Sequence, residues 1–125
     1  MIYGIGTDIV SVERMAASLA RFGESFAHRL LAEDELADFH AATKRERFLA
    51  KRFAAKEALS KAAGMGLRHP VTLKNISVTH DGLGKPGFRF SADLAGWMAE
   101  QGVRACHLSI SDEQHTACAF VVLER

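Results

Sequence analysis

Residues 2–10, IYGIGTDIV, read as a strand, with β-branched Ile5, Ile9 and Val10 set among small residues. Side chains alternate along a strand, so Gly4, Gly6 and Asp8 share one of its faces. From Ser11 the period changes. Val12, Met15, Ala16 and Leu19 fall at helical spacing, Ser11 stands at the N-cap, Glu13 lies in the first turn and Gly23 ends the helix. Residues 25–31 read as a turn leading to a second helix over 33–42. The third helix, 44–63, is the longest. Phe48, Leu49, Phe53, Ala55, Leu59 and Ala62 make it apolar, and alanines at 50, 54, 55, 58, 62 and 63 allow close packing. Gly64 suits its C-terminal cap, and Pro70 bars continuation.

The second half alternates. Ile76 and Val78 interleave with Ser77 and Thr79, and Phe88 and Phe90 with Arg89 and Ser91. Between them DGLGKPG, 81–87, is dense in turn formers, which predicts a hairpin. Residues 92–101 follow as a short helix ended by Gly102. Cys106, Leu108 and Ile110 alternate with His107, Ser109 and Ser111; DEQH makes a turn, and CAFVVL, 118–123, is a buried strand. The order predicts a single α+β domain over 1–125, a mainly antiparallel sheet packed with one long and several shorter helices.

Composition narrows the class. A chain 48% hydrophobic and 25% charged is too apolar for disorder, and a net charge of +1 gives no global pull toward nucleic acid. Residues 44–61 are the exception, with seven Lys or Arg against two acids. Cys106 and Cys118 make neither a disulfide framework nor a zinc site and read as free thiols. The first ten residues lack the charged and long apolar regions of a signal peptide, and no apolar run nears the ~20 residues of a membrane span. A cytoplasmic protein without a membrane anchor is expected.

Candidate chemistry comes in pieces, each with a plainer reading beside it. Asp8 is either an aspartate leading into the first helix or a metal ligand, with the glycines before it admitting something bulky. Glu57 and Lys61 stand four apart on one helix face. They are either a surface ion pair or a carboxylate for a divalent cation beside an ammonium for a phosphate. His107, Ser109 and Ser111 line either a solvated strand face or a polar pocket. A triad of Ser109, His107 and Asp112 has no nucleophile elbow to support it. The DGLGKPG turn is either only a turn or a phosphate cradle with Lys85, and it lacks P-loop spacing. Arg14, Arg21 and Arg29, with Arg45 and Arg52, are either solvated charges or a docking face for an acidic partner.

Together and in this order, GIGTDIV (4–10), RFLAKRFAAKEALSKA (47–62), GMG (64–66), LGKP (83–86) and HLSISDEQHTACAFVVLE (107–124) resemble one family. It is the holo-acyl-carrier-protein synthases, the small 4′-phosphopantetheinyl transferases, and the likeness runs over nearly the whole chain. The resemblance implies that fold and a magnesium-dependent transfer of 4′-phosphopantetheine from coenzyme A to a serine of apo acyl carrier protein, in lipid (fatty acid) biosynthesis. It implies magnesium on Asp8 and Glu57, and Lys61 at the coenzyme phosphates. Gly64, Lys85, Pro86, His107 and Ser109 would border the coenzyme, and Glu57 is the candidate base. It also implies a homotrimer with active sites at subunit boundaries. Carrier proteins are acidic around the modified serine, so Arg14, Arg21, Arg29 and Arg45 would dock that partner. Some members carry S-I-T-H where this chain has SISDEQH, so no role passes to His115 or Asp112.

Two rival readings stand beside this one. A small basic module gripping nucleotide or RNA would use the charges of 44–61 but leaves Asp8 and Glu57 unexplained. A magnesium-dependent phosphotransferase or hydrolase acting on other diphosphates would use the same two carboxylates.

Overall fold

A computed structural model describes residues 1–125. Its elements are β1 (Ile2–Ser11), α1 (Val12–Phe22), α2 (Glu24–Leu30), α3 (Leu36–Ala41), α4 (Arg45–Ala63), β2 (Ile76–His80), β3 (Pro86–Phe90), α5 (Ala92–Glu100), β4 (Ala105–Asp112) and β5 (Thr116–Glu124). Single 3₁₀ turns at Glu33–Glu35 and Leu73–Asn75 precede α3 and β2. The strands make two antiparallel sheets, one of three strands in the order β1-β5-β4 and one hairpin of β2 and β3. The predicted α+β class holds, with the antiparallel strands divided between two sheets.

α4 lies across the inner face of the larger sheet. Its alanines at 50, 54, 55, 58, 62 and 63 are all buried, as are Leu49 and Leu59, and they meet Ala117, Ala119, Val121 and Leu123 of β5. Small side chains on both surfaces let helix and sheet approach closely. The approach is tightest at β1. A Cβ on Gly4 would sit 1.9 Å from the carbonyl oxygen of Ala62, and one on Gly6 would sit 1.9 Å from that of Ala58. Two strand residues advance about 6.8 Å and one helical turn about 5.4 Å, so the two elements stay in step over a short run. These glycines therefore serve helix packing. The expectation that they leave room for a bulky ligand beside Asp8 is wrong, because the backbone of α4 fills that space.

The helix of residues 24–30 replaces the turn predicted there. Gly23, at φ 65°, ends α1 and turns the chain, and the helix resumes at once, burying Ala27 and Leu30. The helix expected over 33–42 begins instead as a 3₁₀ turn because Glu35 faces inward. Its Oε1 accepts from the amide of Ala32 at 2.8 Å, and its Oε2 from the amide of Val78 at 3.1 Å. Two cations of α4 complete the cluster. Lys56 donates to Glu35 Oε1 (2.6 Å), Leu30 O (3.0 Å) and Leu73 O (2.9 Å). Arg52 donates to Glu35 Oε2 (2.9 Å) and Val78 O (2.8 Å). Burial pulls the proton affinity of Lys56 down, against the opposing attraction of Glu35.

This cluster corrects two sequence expectations. Arg52 is only 5% exposed and Lys56 not at all, so the basic run of residues 44–61 is not one basic face. Arg52 belongs to the interior and not to a docking surface, and the nucleic-acid reading loses two of the seven charges it relied on.

Candidate active site

The glycine steps of β1 lead to Asp8. Gly4 packs on Ala62 and Gly6 on Ala58, so the next residue on that face meets the preceding turn of α4. That turn carries Glu57. Asp8 and Glu57 line one cleft of about 310 Å³ together with Ser11, Arg14, Met15 and Phe53. Ser11 caps α1 by accepting from the amide of Arg14 at 3.2 Å, which fixes where the helix leaves the strand beside the cleft. Lys61, one turn beyond Glu57, reaches back over the strand. Its Nζ donates to Thr7 O at 2.9 Å and to Asp8 Oδ1 at 3.0 Å. The i,i+4 ion pair with Glu57 offered by the spacing is absent; the ammonium rests on Asp8.

The electrostatics of the cleft are those of two acids with too little compensation. Burial first, and the Asp8 charge second, raise Glu57 above its ordinary 4.5, with Lys61 opposing them. A hard divalent cation would relieve that repulsion through oxygen donors. No group of three or more His, Cys, Asp or Glu in the chain is arranged to hold a metal ion. Two carboxylates with the other positions left to water and phosphate oxygens fit magnesium better than zinc.

The remaining candidates do not join Asp8 and Glu57 on the same chain. Gly84 and Pro86 line a second hollow, of about 280 Å³, with Lys51, Arg52 and His80. Phe48, Lys51 and Arg52 occupy the side of α4 opposite Phe53, Glu57 and Lys61, as 100° per residue requires. The turn that carries Lys85 is firm, since Asp81 Oδ1 accepts from the amides of Leu83 and Lys85 at 2.9 Å each. Gly64 caps α4 in the left-handed region at φ 76° and is exposed. His107 and Ser109 project from the outer face of the three-stranded sheet, away from α4. His107 Nε2 lies 2.7 Å from Glu124 Oε1, and Asp112 pairs with Arg47 at 3.1 Å, so Ser109, His107 and Asp112 form no triad.

The arginines split as well. Arg14, Arg21 and Arg29 are exposed, and Arg14 and Arg29 flank an apolar groove of about 450 Å³ formed with Met15, Phe22, Phe26 and Phe53. Arg14, Met15 and Phe53 are shared with the cleft of Asp8 and Glu57, so groove and cleft are continuous. Arg45 stands apart, stacked on Phe39 and 3.7 Å from Glu24. Sequence reading missed Met15 and Phe53 as walls of the site, because apolar residues at helical spacing read as core.

The sequence profile of the 4′-phosphopantetheinyl transferase superfamily matches residues 4–120. The chain belongs to that superfamily. Within it, the chain is 57% identical to the holo-[acyl-carrier-protein] synthase of Nitrosomonas eutropha over 125 residues, the full length of both. The crystal structure of the holo-[acyl-carrier-protein] synthase from Neisseria meningitidis superposes with a TM-score of 0.97 at 51% identity, all of each chain being covered. That of Bacillus anthracis, in complex with CoA (3′,5′-ADP), superposes with a TM-score of 0.80 at 38% identity, over 98% of this chain and 96% of that one. The chain is thus an enzyme, a phosphopantetheinyl transferase of the holo-acyl-carrier-protein synthase group, and the fold is that of its relatives.

Proposed function

We propose that the chain transfers 4′-phosphopantetheine from coenzyme A to a serine of apo acyl carrier protein, with magnesium, in the service of fatty acid biosynthesis. The observation that carries this is the shared cleft of Asp8 and Glu57, with Lys61 over it and an arginine-flanked groove running out of it. In the reaction the serine oxygen forms a bond to the β-phosphorus of coenzyme A. The bond from that phosphorus to the bridging oxygen breaks, and adenosine 3′,5′-bisphosphate leaves. Asp8 and Glu57 would hold magnesium, which when bound would neutralise charge on the diphosphate. Lys61 supplies a further positive charge to the same oxygens. Glu57 is our candidate to accept the serine proton.

The groove beside the cleft suits an acidic helical partner with an apolar ridge. Arg14, Arg21 and Arg29 are its charges, and Met15, Phe22, Phe26 and Phe53 its apolar floor. Arg45 adds charge at a distance from it.

The incompleteness of one chain supports the homotrimer that the family resemblance implies. Lys85, Pro86, His107 and Ser109 belong to the coenzyme site by family resemblance, yet lie on other sides of the same chain from Asp8. Gly64, at the end of α4, is the nearer border. The outer sheet face exposes Ile5 at 58%, Ile9 at 73% and Phe120 at 46%, a run of apolar residues suited to a second copy. Neighbouring copies packed through that face would bring one subunit's His107 and Ser109 toward another's cleft.

The deciding experiment is mass spectrometry of an apo acyl carrier protein incubated with the chain, coenzyme A and magnesium. A phosphopantetheine-sized mass gain, abolished by EDTA, is the expected result. No gain with any acyl carrier protein overturns the reading.

A further inference from the structure

Lys61 does not rest where a phosphate-binding lysine would wait. It donates to Asp8 Oδ1 at 3.0 Å and to Thr7 O at 2.9 Å, and its field also lowers the proton affinity of Glu57. One ammonium thus compensates two carboxylates. The Asp8 side chain is 17% exposed, whereas that of Lys61 is 52% exposed. A cation approaching Asp8 therefore meets an oxygen already held by a flexible, half-solvated side chain.

Charge balance decides what happens next. Two carboxylates and one ammonium sum to −1. A divalent cation alone brings the carboxylates to zero, which leaves the ammonium without a counter-charge and repelled by the ion beside it. The four-carbon stem of lysine permits the ammonium to swing away without moving α4.

We infer that Lys61 is the resident counter-ion of Asp8 and Glu57, exchanged off Asp8 when a divalent cation loads. The same lysine touches Asp8 and offsets the charge of Glu57 through its field before loading, and becomes free for the diphosphate only in a loaded site. Transfer chemistry and cation loading are coupled in one side chain. The inference rests on the reading of Asp8 and Glu57 as the metal pair.

The test needs neither coenzyme nor carrier. Mn²⁺ binding to the full-length protein is followed by electron paramagnetic resonance for wild type, Lys61→Met and Lys61→Arg. Lys61→Met should bind Mn²⁺ about fivefold more tightly, about 1 kcal/mol, because the competing charge is gone. Lys61→Arg should bind like wild type. In thermal melts, Mn²⁺ should raise the transition of Lys61→Met more than that of wild type. Asp8→Asn should abolish the tight binding of Lys61→Met. Equal or weaker binding by Lys61→Met, with wild type still binding, overturns the exchange and leaves the metal pair standing. Absence of saturable Mn²⁺ binding in both, or tight binding that survives Asp8→Asn, overturns both.

Discussion

Gly6 of β1 lies so close to Ala58 of α4 that a methyl group on it would meet the Ala58 carbonyl oxygen at 1.9 Å. The contact is with backbone, which cannot rotate away, so Gly6→Ala must push the strand and the long helix apart. Asp8 is two residues along the same strand, and Glu57 one residue before Ala58. Displacement at Gly6 is thus felt at both carboxylates. Overpacking of this kind costs about 1–3 kcal/mol. Gly6→Ala should lower the unfolding free energy by that amount, moving the urea midpoint down, and reduce transfer activity well beyond the loss of folded protein. An unchanged midpoint and unchanged activity would show that the close approach is not needed.

Glu57 carries a pH signature. Burial and Asp8 raise its folded-state value above the ordinary 4.5. The fold therefore favours the protonated carboxyl. That contribution is fully present below the unfolded value near 4.5 and is lost as pH rises through the raised value. Glu57→Gln, which cannot ionise, should melt higher than wild type at pH 7 in EDTA. The difference should shrink toward zero as pH falls below 4.5. A variant less stable than wild type at pH 7 would reverse the sign and end this account of the cleft. The same variant should lose most of its transfer activity while staying folded.

Much of this was legible in the chain. The alanine stripe and its terminal Gly64 gave the long helix, and alternation gave both hairpins, because period and punctuation are local properties. The spacing of Asp8 from Gly4 and Gly6 correctly put the three on one face. What that face meets is tertiary information, so the glycines were misread as space for a ligand. Glu35 and Lys56 carried no warning of burial, since a charged residue is buried only when distant partners satisfy it. Lys61 was matched to Glu57 by helical spacing. The shape of β1 instead offers it Thr7 O and Asp8, more than fifty residues away.

The interior ion cluster makes its own prediction. Lys56 is fully buried and holds Glu35, Leu30 O and Leu73 O, tying α4 to the end of α2 and to the turn before β2. Lys56→Met takes its hydrogen bonds from two carbonyls and from Glu35 Oε1, and leaves the buried carboxylate with Arg52 as its only contacting cation. Breaking one partner of such a pair costs about 3–5 kcal/mol. Lys56→Met should be strongly destabilised in urea. The double variant with Glu35→Gln should lose less than the sum of the two single changes. Strict additivity would mean that the two residues do not act as a pair.

The outer sheet face tests the assembly. Ile5 and Ile9 of β1 stand opposite Val122 and Cys118 of β5, and Thr7 opposite Phe120. A charge on this face need not disturb α4, which packs on the other side. Ile5→Glu combined with Phe120→Glu should therefore sediment as a folded monomer while wild type sediments as a trimer. It should also have lost transfer activity, because one chain does not bring His107 and Ser109 to Asp8. A wild-type monomer with full activity would remove the shared site.

Docking can be separated from chemistry at the groove. Arg14 borders both the groove and the carboxylate cleft, whereas Arg21 lies near the groove's rim, its guanidinium 5.0 Å from the Phe22 ring. Both are exposed, so charge reversal should leave folding intact. Arg14→Glu with Arg21→Glu should raise KM for the acyl carrier protein by tenfold or more, about 1.4 kcal/mol, and KM for coenzyme A much less. Salt should weaken carrier binding by wild type more than by the variant, because the variant has already lost the screened attraction. Arg21→Glu alone carries the argument if Arg14→Glu also disturbs the cleft. An equal rise in KM for both substrates would mean that these arginines serve the coenzyme site and not the carrier.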